Sequence, residues 1–273
     1  MHRNVFFISD GTGITAESFG QSLLAQFTGP EFRHVTLPYV DTVKKAAQAL
    51  ETIQQSQSAD GTQPILFMTV LNEEVSSMMH ASGAYVIDLF QAFLPGLEQE
   101  FGQHPLYRPG QKRSTHSNSS YHRRIEAVQF ALDNDDGCRT RNYDKADIIL
   151  LGVSRSGKTP TCIYLGLQFG IFAANYPITE EDFELTTRLP APLKPYRRKL
   201  FGLTIHPGRL SGIRHERKPN SRYASSQQCQ HEVFSVEQMY RQEKIPSINS
   251  TDYSVEEIAT RIMAMTELER RLK

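Results

Sequence analysis

Residues 152–159 of this 273-residue chain read Gly-Val-Ser-Arg-Ser-Gly-Lys-Thr, which satisfies the spacing GxxxxGK[ST] in full. The spacing has a physical cause. Gly152 and Gly157 permit backbone geometry that residues with side chains resist, so the amides of Val153, Ser154, Arg155 and Ser156 can turn inward around phosphate oxygens. A helix starting at Lys158 adds free N–H donors and a favourable dipole. Lys158 can reach terminal phosphate oxygens, and the Thr159 hydroxyl can ligate Mg2+. At ordinary residue usage a chance match in this length arises about once in a hundred chains, and the need for a strand before and a helix after lowers that further. Gly152–Thr159 is therefore expected to bind phosphate, with Lys158 and Thr159 as the catalytic pair and Thr159 as the metal ligand. The bland alternative is a strand-to-helix turn bearing an exposed lysine.

The loop alone does not choose a reaction. A GTPase needs an N-K-x-D element, and Asn249-Ser250-Thr251-Asp252 lacks the lysine. Phosphoryl transfer also needs cationic cover over the migrating group. Arg209, Arg214, Arg217, Lys218 and Arg222 cluster in one segment and Arg155 lies inside the loop, although any of them can equally be a solvated basic face. Ser9-Asp10-Gly11-Thr12-Gly13 reads evenly as an anion nest or as turn and cap residues. Asp135-Asp136-Gly137 reads as a helix-ending turn in preference to a pair of metal ligands. The nine histidines show no HExxH spacing, and Cys138, Cys162 and Cys229 form no CxxC pair, so no zinc site or disulfide framework is indicated.

These residues need elements to hold them. Apolar runs predict strands at Val5–Ile8, Val35–Val40, Ile65–Val70 and Tyr85–Ile87, alternating with helices carrying Ile14, Phe19, Leu23 and Phe27, then Val43 to Ile53, then Phe90 to Leu97. That alternation predicts parallel strands, the α/β class. A Pro-, Gly- and Ser-rich stretch from His104 leads to a helix with Ile125, Val128, Phe130, Ala131 and Leu132 on one side. A second α/β block follows. It has strands near 146–151, 171–176, 200–205 and 245–249, a helix over 158–169, a polar helix around Val233–Glu243 and a last helix capped by Ser254 with Glu257. The expected division is an N-terminal α/β domain over 1–103, used for dimerisation or target docking, a linker and helix over 104–140, and a phosphate-loop kinase-like α/β domain over 141–273. No internal repeat is visible.

Bulk properties narrow the classes. The chain is 39% hydrophobic and 22% charged, which excludes collagen, coiled coil and wholesale disorder. Thirty basic residues balance thirty acidic ones, which argues against a dedicated nucleic-acid binder. The apolar runs fall short of a membrane span. A soluble, cytoplasmic protein with no membrane or nucleic-acid partner is expected.

Several long motifs in order carry a resemblance to the bacterial phosphoenolpyruvate synthase regulatory proteins, relatives of the pyruvate, phosphate dikinase regulatory proteins. They are FFISDGTGITAE, GVSRSGKTPT, QFGIFAANYPI, KLFGLTIHPGRLSGIRHER, NSRYAS with the nearby Gln228-Cys229, and INSTDYSVEEIATRI. The resemblance implies a two-way regulatory enzyme; a homodimer is expected. It implies a kinase that inactivates its target by threonine phosphorylation with ADP as donor, and a phosphorylase that removes the phosphate with inorganic phosphate and releases pyrophosphate. Gly157 before the loop lysine and the Ser9–Glu17 opening resemble the branch acting on phosphoenolpyruvate synthase rather than on the dikinase. One departure is His206, where relatives commonly carry aspartate. A small-molecule kinase and a non-catalytic nucleotide-dependent binder remain as rival readings.

Overall fold

The computed structural model describes residues 2–107, 117–180, 182, 189–269 and 271. The chain divides into two compact units, residues 1–112 and 113–273. In the first, strands β1 (His2–Ser9), β2 (Glu31–Leu37), β3 (Ile65–Thr69) and β4 (Tyr85–Asp88) form a parallel sheet in the order β2-β1-β3-β4. The crossovers are helices α1 (Ile14–Leu24), α2 (Val43–Asp60) and α3 (Glu73–His80), and α4 (Leu89–Phe101) follows β4. Val5 to Ile8 and Leu66 to Met68 are buried on both faces, as a covered parallel sheet requires. Strand β2 stops at Leu37 before Pro38, short of the expected Val40. Helix α3 has no counterpart among the expected elements; at eight residues it buries Val75 and Met79 and half-buries Met78, and its signal is the Asn72 cap on Glu74 and Val75.

The expected inner face of α1 is reversed. Ile14, Phe19, Leu23 and Phe27 are exposed, while Ala16, Gly20 and Leu24 are buried. Gly20 decides this: a Cβ there would lie 2.5 Å from the Phe7 ring, so the helix lies close on the sheet through its small residues. The Ser9–Gly13 loop is occupied by its own turn. Ser9 Oγ donates to the Thr69 carbonyl, Gly11 N donates to Ser9 Oγ, and Leu71 N donates to Asp10.

The second unit repeats the strand order of the first. Strands β5 (Ile148–Gly152), β6 (Ala173–Pro177), β7 (Leu200–Thr204) and β8 (Ser247–Asn249) are parallel in the order β6-β5-β7-β8. Helix α5 (Ser117–Asp133) belongs to this unit, not to a connecting segment. It packs through Ala127 and Ala131, with Ile125 and Leu132 exposed, because Gly166 admits its backbone. Helix α6 (Lys158–Tyr164) continues as a π turn, Leu165–Phe169, in place of the uniform helix expected over 158–169. Helices α7 (Pro207–Arg217), α8 (Ser226–Glu243) and α9 (Val255–Met265) complete the unit. Helix α8 starts seven residues before the expected Val233, where Ser225 caps it. Ser254 and Glu257 form the expected capping box of α9. Among the described residues no helix is long and apolar enough to cross a membrane.

Candidate active site

Strand β5 is buried along its whole length and delivers the chain to residues 152–159 at the carboxyl end of the sheet. With β6 on one side of β5 and β7 on the other, this is the topological switch point, where open α/β sheets leave a crevice. Gly152 is required by contact: a Cβ would lie 2.5 Å from the Leu203 carbonyl of β7. Arg155 and Gly157 adopt left-handed φ of 75° and 92°, which turn the loop into the first turn of α6. Pro160, in that first turn, sacrifices no helical hydrogen bond.

Lys158 is only 4% exposed and its Nζ donates to the Val153 carbonyl at 3.0 Å, across the loop. Burial lowers its pKa to about 8, against the opposing pull of Asp136 and Asp135. Thr159 Oγ1 donates to Asp135 Oδ1 at 2.7 Å, and Asn175 Nδ2 donates to the same oxygen. The Asp136 N–H returns to Asn175 Oδ1 at 3.1 Å, with Asp136 at φ 48°. The Asp-Asp-Gly turn thus ends α5 as expected and also brings a carboxylate to the loop. The sequence offered metal ligation by this pair only as its second reading, because Asp135 lies 24 residues before Thr159 and no fixed spacing joins the two.

No group of three or more His, Cys, Asp or Glu side chains suited to a metal occurs among the described residues. One hydroxyl and one carboxylate nevertheless suit Mg2+, which keeps several waters and is commonly held by one or two carboxylates plus substrate phosphates. The donor set fits that ion.

The cationic segment divides. Arg217 and Lys218, at the end of α7, line a cavity of about 1020 Å³ together with Asp136, Arg155, Lys158 and Thr159. Arg222 instead pairs with Glu180 at 2.6 Å. Arg209 is exposed and lines no part of that cavity. Arg214 fits neither of its two readings, phosphate cover or solvated basic face: it is buried and lines no part of that cavity. Its side chain is 0% exposed and makes two bonds to Glu232, at 2.7 and 3.1 Å. It also donates to the carbonyls of Ser154 and Tyr223 and stacks 4.1 Å over the Tyr223 ring. The Tyr223 hydroxyl lies 3.0 Å from Ser154 Oγ. Burial opposes the Arg214 charge, but the Glu232 carboxylate outweighs it and holds the guanidinium protonated. His206 caps α7, its Nδ1 accepting from Gly208 N at 3.2 Å. Asn249 to Asp252 form a turn: Thr251 N donates to Asn249 Oδ1, and the Ser250 hydroxyl lies 3.0 Å from both Ser156 O and Thr204 O.

A switch-point loop with a buried lysine, a hydroxyl–carboxylate pair and a cavity carrying four cations is an arrangement suited to holding phosphate groups in an α/β protein. The comparisons narrow the class. Residues 5–263 match the kinase/pyrophosphorylase family, and the chain belongs to it. A protein of Hahella chejuensis is 59% identical over 273 residues, covering 100% of both chains. One of Pseudomonas savastanoi pv. phaseolicola is 56% identical over the same span, and one of Marinobacter nauticus is 54% identical over 270 residues, 99% of each chain. All three bear the words phosphoenolpyruvate synthase regulatory protein in their names.

Proposed function

We propose that the chain is a two-way regulator of phosphoenolpyruvate synthase that phosphorylates a threonine of that enzyme with ADP and removes the phosphate with inorganic phosphate. The observation that carries this reading is the cation-lined cavity over Lys158 and Thr159, in a chain of this family. The synthase is preferred to the dikinase because the relatives' names carry it.

In the forward direction the threonine hydroxyl attacks the β-phosphorus of ADP. A bond forms between threonine oxygen and phosphorus, the bridging oxygen leaves with AMP, and Asp136, whose residue lines the same cavity, takes the hydroxyl proton. Lys158 and the loop amides hold the charge on the migrating group. Thr159 and Asp135 would hold Mg2+, which would supply neutralisation of phosphate charge. In the second reaction inorganic phosphate occupies the place of the AMP phosphate. Its oxygen attacks the phosphothreonine phosphorus, the bond to threonine breaks, the threonine oxygen takes back a proton, and pyrophosphate leaves. One cradle serves both directions. The exposed faces of α1 and α4, with Phe19, Leu23, Phe93 and Leu97, support a homodimer formed through the first unit.

The test is transfer from ADP labelled at the β-position to phosphoenolpyruvate synthase already phosphorylated on its catalytic histidine, with ATP in parallel. Acid-stable phosphothreonine labelled from ADP alone is the expected result. Labelling only from ATP, or none, overturns the reading.

A further inference from the structure

The second unit carries another cavity of about 1040 Å³ at the same edge of the sheet. It is lined by Ile205 and His206 just past β7, by Asn249 at the end of β8, and by residues of α8 from Gln227 to Glu237, Val233 among them. It adjoins the phosphate loop. Strand β7 packs on Gly152, and Ser250, next to Asn249, reaches the Ser156 carbonyl at 3.0 Å. The Arg222–Ala224 turn stands between the two cavities, with Arg222 lining this one and Tyr223 lining the other.

Their charge balance differs. The loop cavity sets four cations, Lys158, Arg155, Arg217 and Lys218, against Asp135 and Asp136, an excess of positive charge that suits a polyanion. The second cavity sets Glu180 and Glu237 against Arg222, with Arg222 and Glu180 paired to each other, so it offers no excess of cations for phosphate. Its wall is rich in side-chain amides: Gln227, Gln228 and Gln230 on α8, and Asn249 opposite. Gln228 Nε2 is taken by Glu232 and Asn249 Oδ1 by Thr251, whereas Gln227 and Gln230 are exposed; an exposed amide presents donors and an acceptor, the complement of the alternating N–H and C=O groups of an extended main chain. Phe234, one turn beyond Gln230, is 61% exposed although α8 buries Val233 and Val236 beside it. It offers a ring to an apolar side chain of an occupant.

We infer that this amide-lined cavity is the acceptor subsite, which holds the extended polypeptide segment carrying the threonine while the loop cavity holds the nucleotide. The assignment rests on the proposed function above. Gln230 and Phe234 are specificity-determining positions for the protein substrate and lie outside the phosphate chemistry.

The experiment measures steady-state transfer by Q230A/F234A, both positions being exposed. A rise of tenfold or more in KM for the acceptor protein is expected, with KM for ADP within twofold of wild type. An acceptor KM within twofold of wild type, or equal rises for both substrates, overturns the assignment and leaves the function standing. Wild-type protein that transfers nothing from ADP overturns the function itself and the acceptor role with it. As a second measurement that tolerates a damaged variant, p-benzoylphenylalanine replaces Gln230 in the full chain and is photolysed with the acceptor protein. Cross-linking to the segment around the modified threonine supports the subsite; cross-links elsewhere, or none, refute it.

Discussion

Lys158 shows function working against stability. Its ammonium is buried with one carbonyl as its hydrogen-bond partner, and its pKa falls from 10.5 to about 8. At pH 7 the folded chain therefore carries a charge it would rather lose, at a cost of up to about 3 kcal/mol. Between about pH 8 and 10.5 the unfolded chain binds more protons than the folded one, so this group's contribution to stability rises with pH across that window. Lys158→Met should abolish transfer in both directions and raise the unfolding free energy at pH 7. Denaturant titrations should show that advantage shrinking as pH climbs toward 10. Retention of either transfer activity would contradict a shared cradle. In the wild type, kcat/KM for ADP should fall above about pH 8, as the free enzyme loses the proton that meets phosphate.

At the scale of elements, the loop is held from behind by Arg214, a side chain of α7 that lines no part of the loop cavity. Arg214 on α7 ties Ser154 of the loop to Tyr223 of the following turn, and Glu232 on α8 holds the guanidinium in place. Removing one partner of a buried pair costs about 3–5 kcal/mol because the other charge is left uncompensated. Glu232→Gln should lower stability by about that amount. The double substitution Arg214→Met with Glu232→Leu should restore most of the stability by removing both charges. It should leave KM for ADP raised, because Ser154 and Tyr223 have lost their shared donor. Melting curves and kinetics on the same samples separate the two effects. In sequence, Arg214 was one basic residue among five in its segment. Spacing cannot distinguish a guanidinium aimed at solvent from one drawn between two helices; that depends on Glu232, eighteen residues away.

At the scale of the whole molecule, two units of like strand order bury their sheets alike, the first under apolar clusters that include Met68 and Phe67, and differ in the helix faces they leave exposed. The second sheet is covered by two apolar clusters, one with Leu210, Val233 and Val236 and one with Leu165, Ile258 and Ile262. The first unit leaves the aromatic face of α1 and α4 open, with the Phe19 and Phe93 rings 6.2 Å apart. Exposed apolar surface of that kind marks an interface more often than an accident. Sedimentation should show a dimer for the wild type and a monomer for Phe93→Glu. A wild-type monomer would exclude the dimer.

What the sequence determined by itself was whatever depends on near neighbours in the chain. The loop spacing at 152–159, the alternation of apolar runs that makes the sheets parallel, and the Ser254–Glu257 box are all set within a few residues. Tertiary structure decided whatever depends on approach between distant segments. Gly20 and Gly166 let helices in close and so chose which faces of α1 and α5 are buried, against the apolar count. Asp135 met Thr159, and Arg214 met Glu232, because folding set their segments side by side. Local periodicity records which residues avoid water, but only packing decides which partner each one finds.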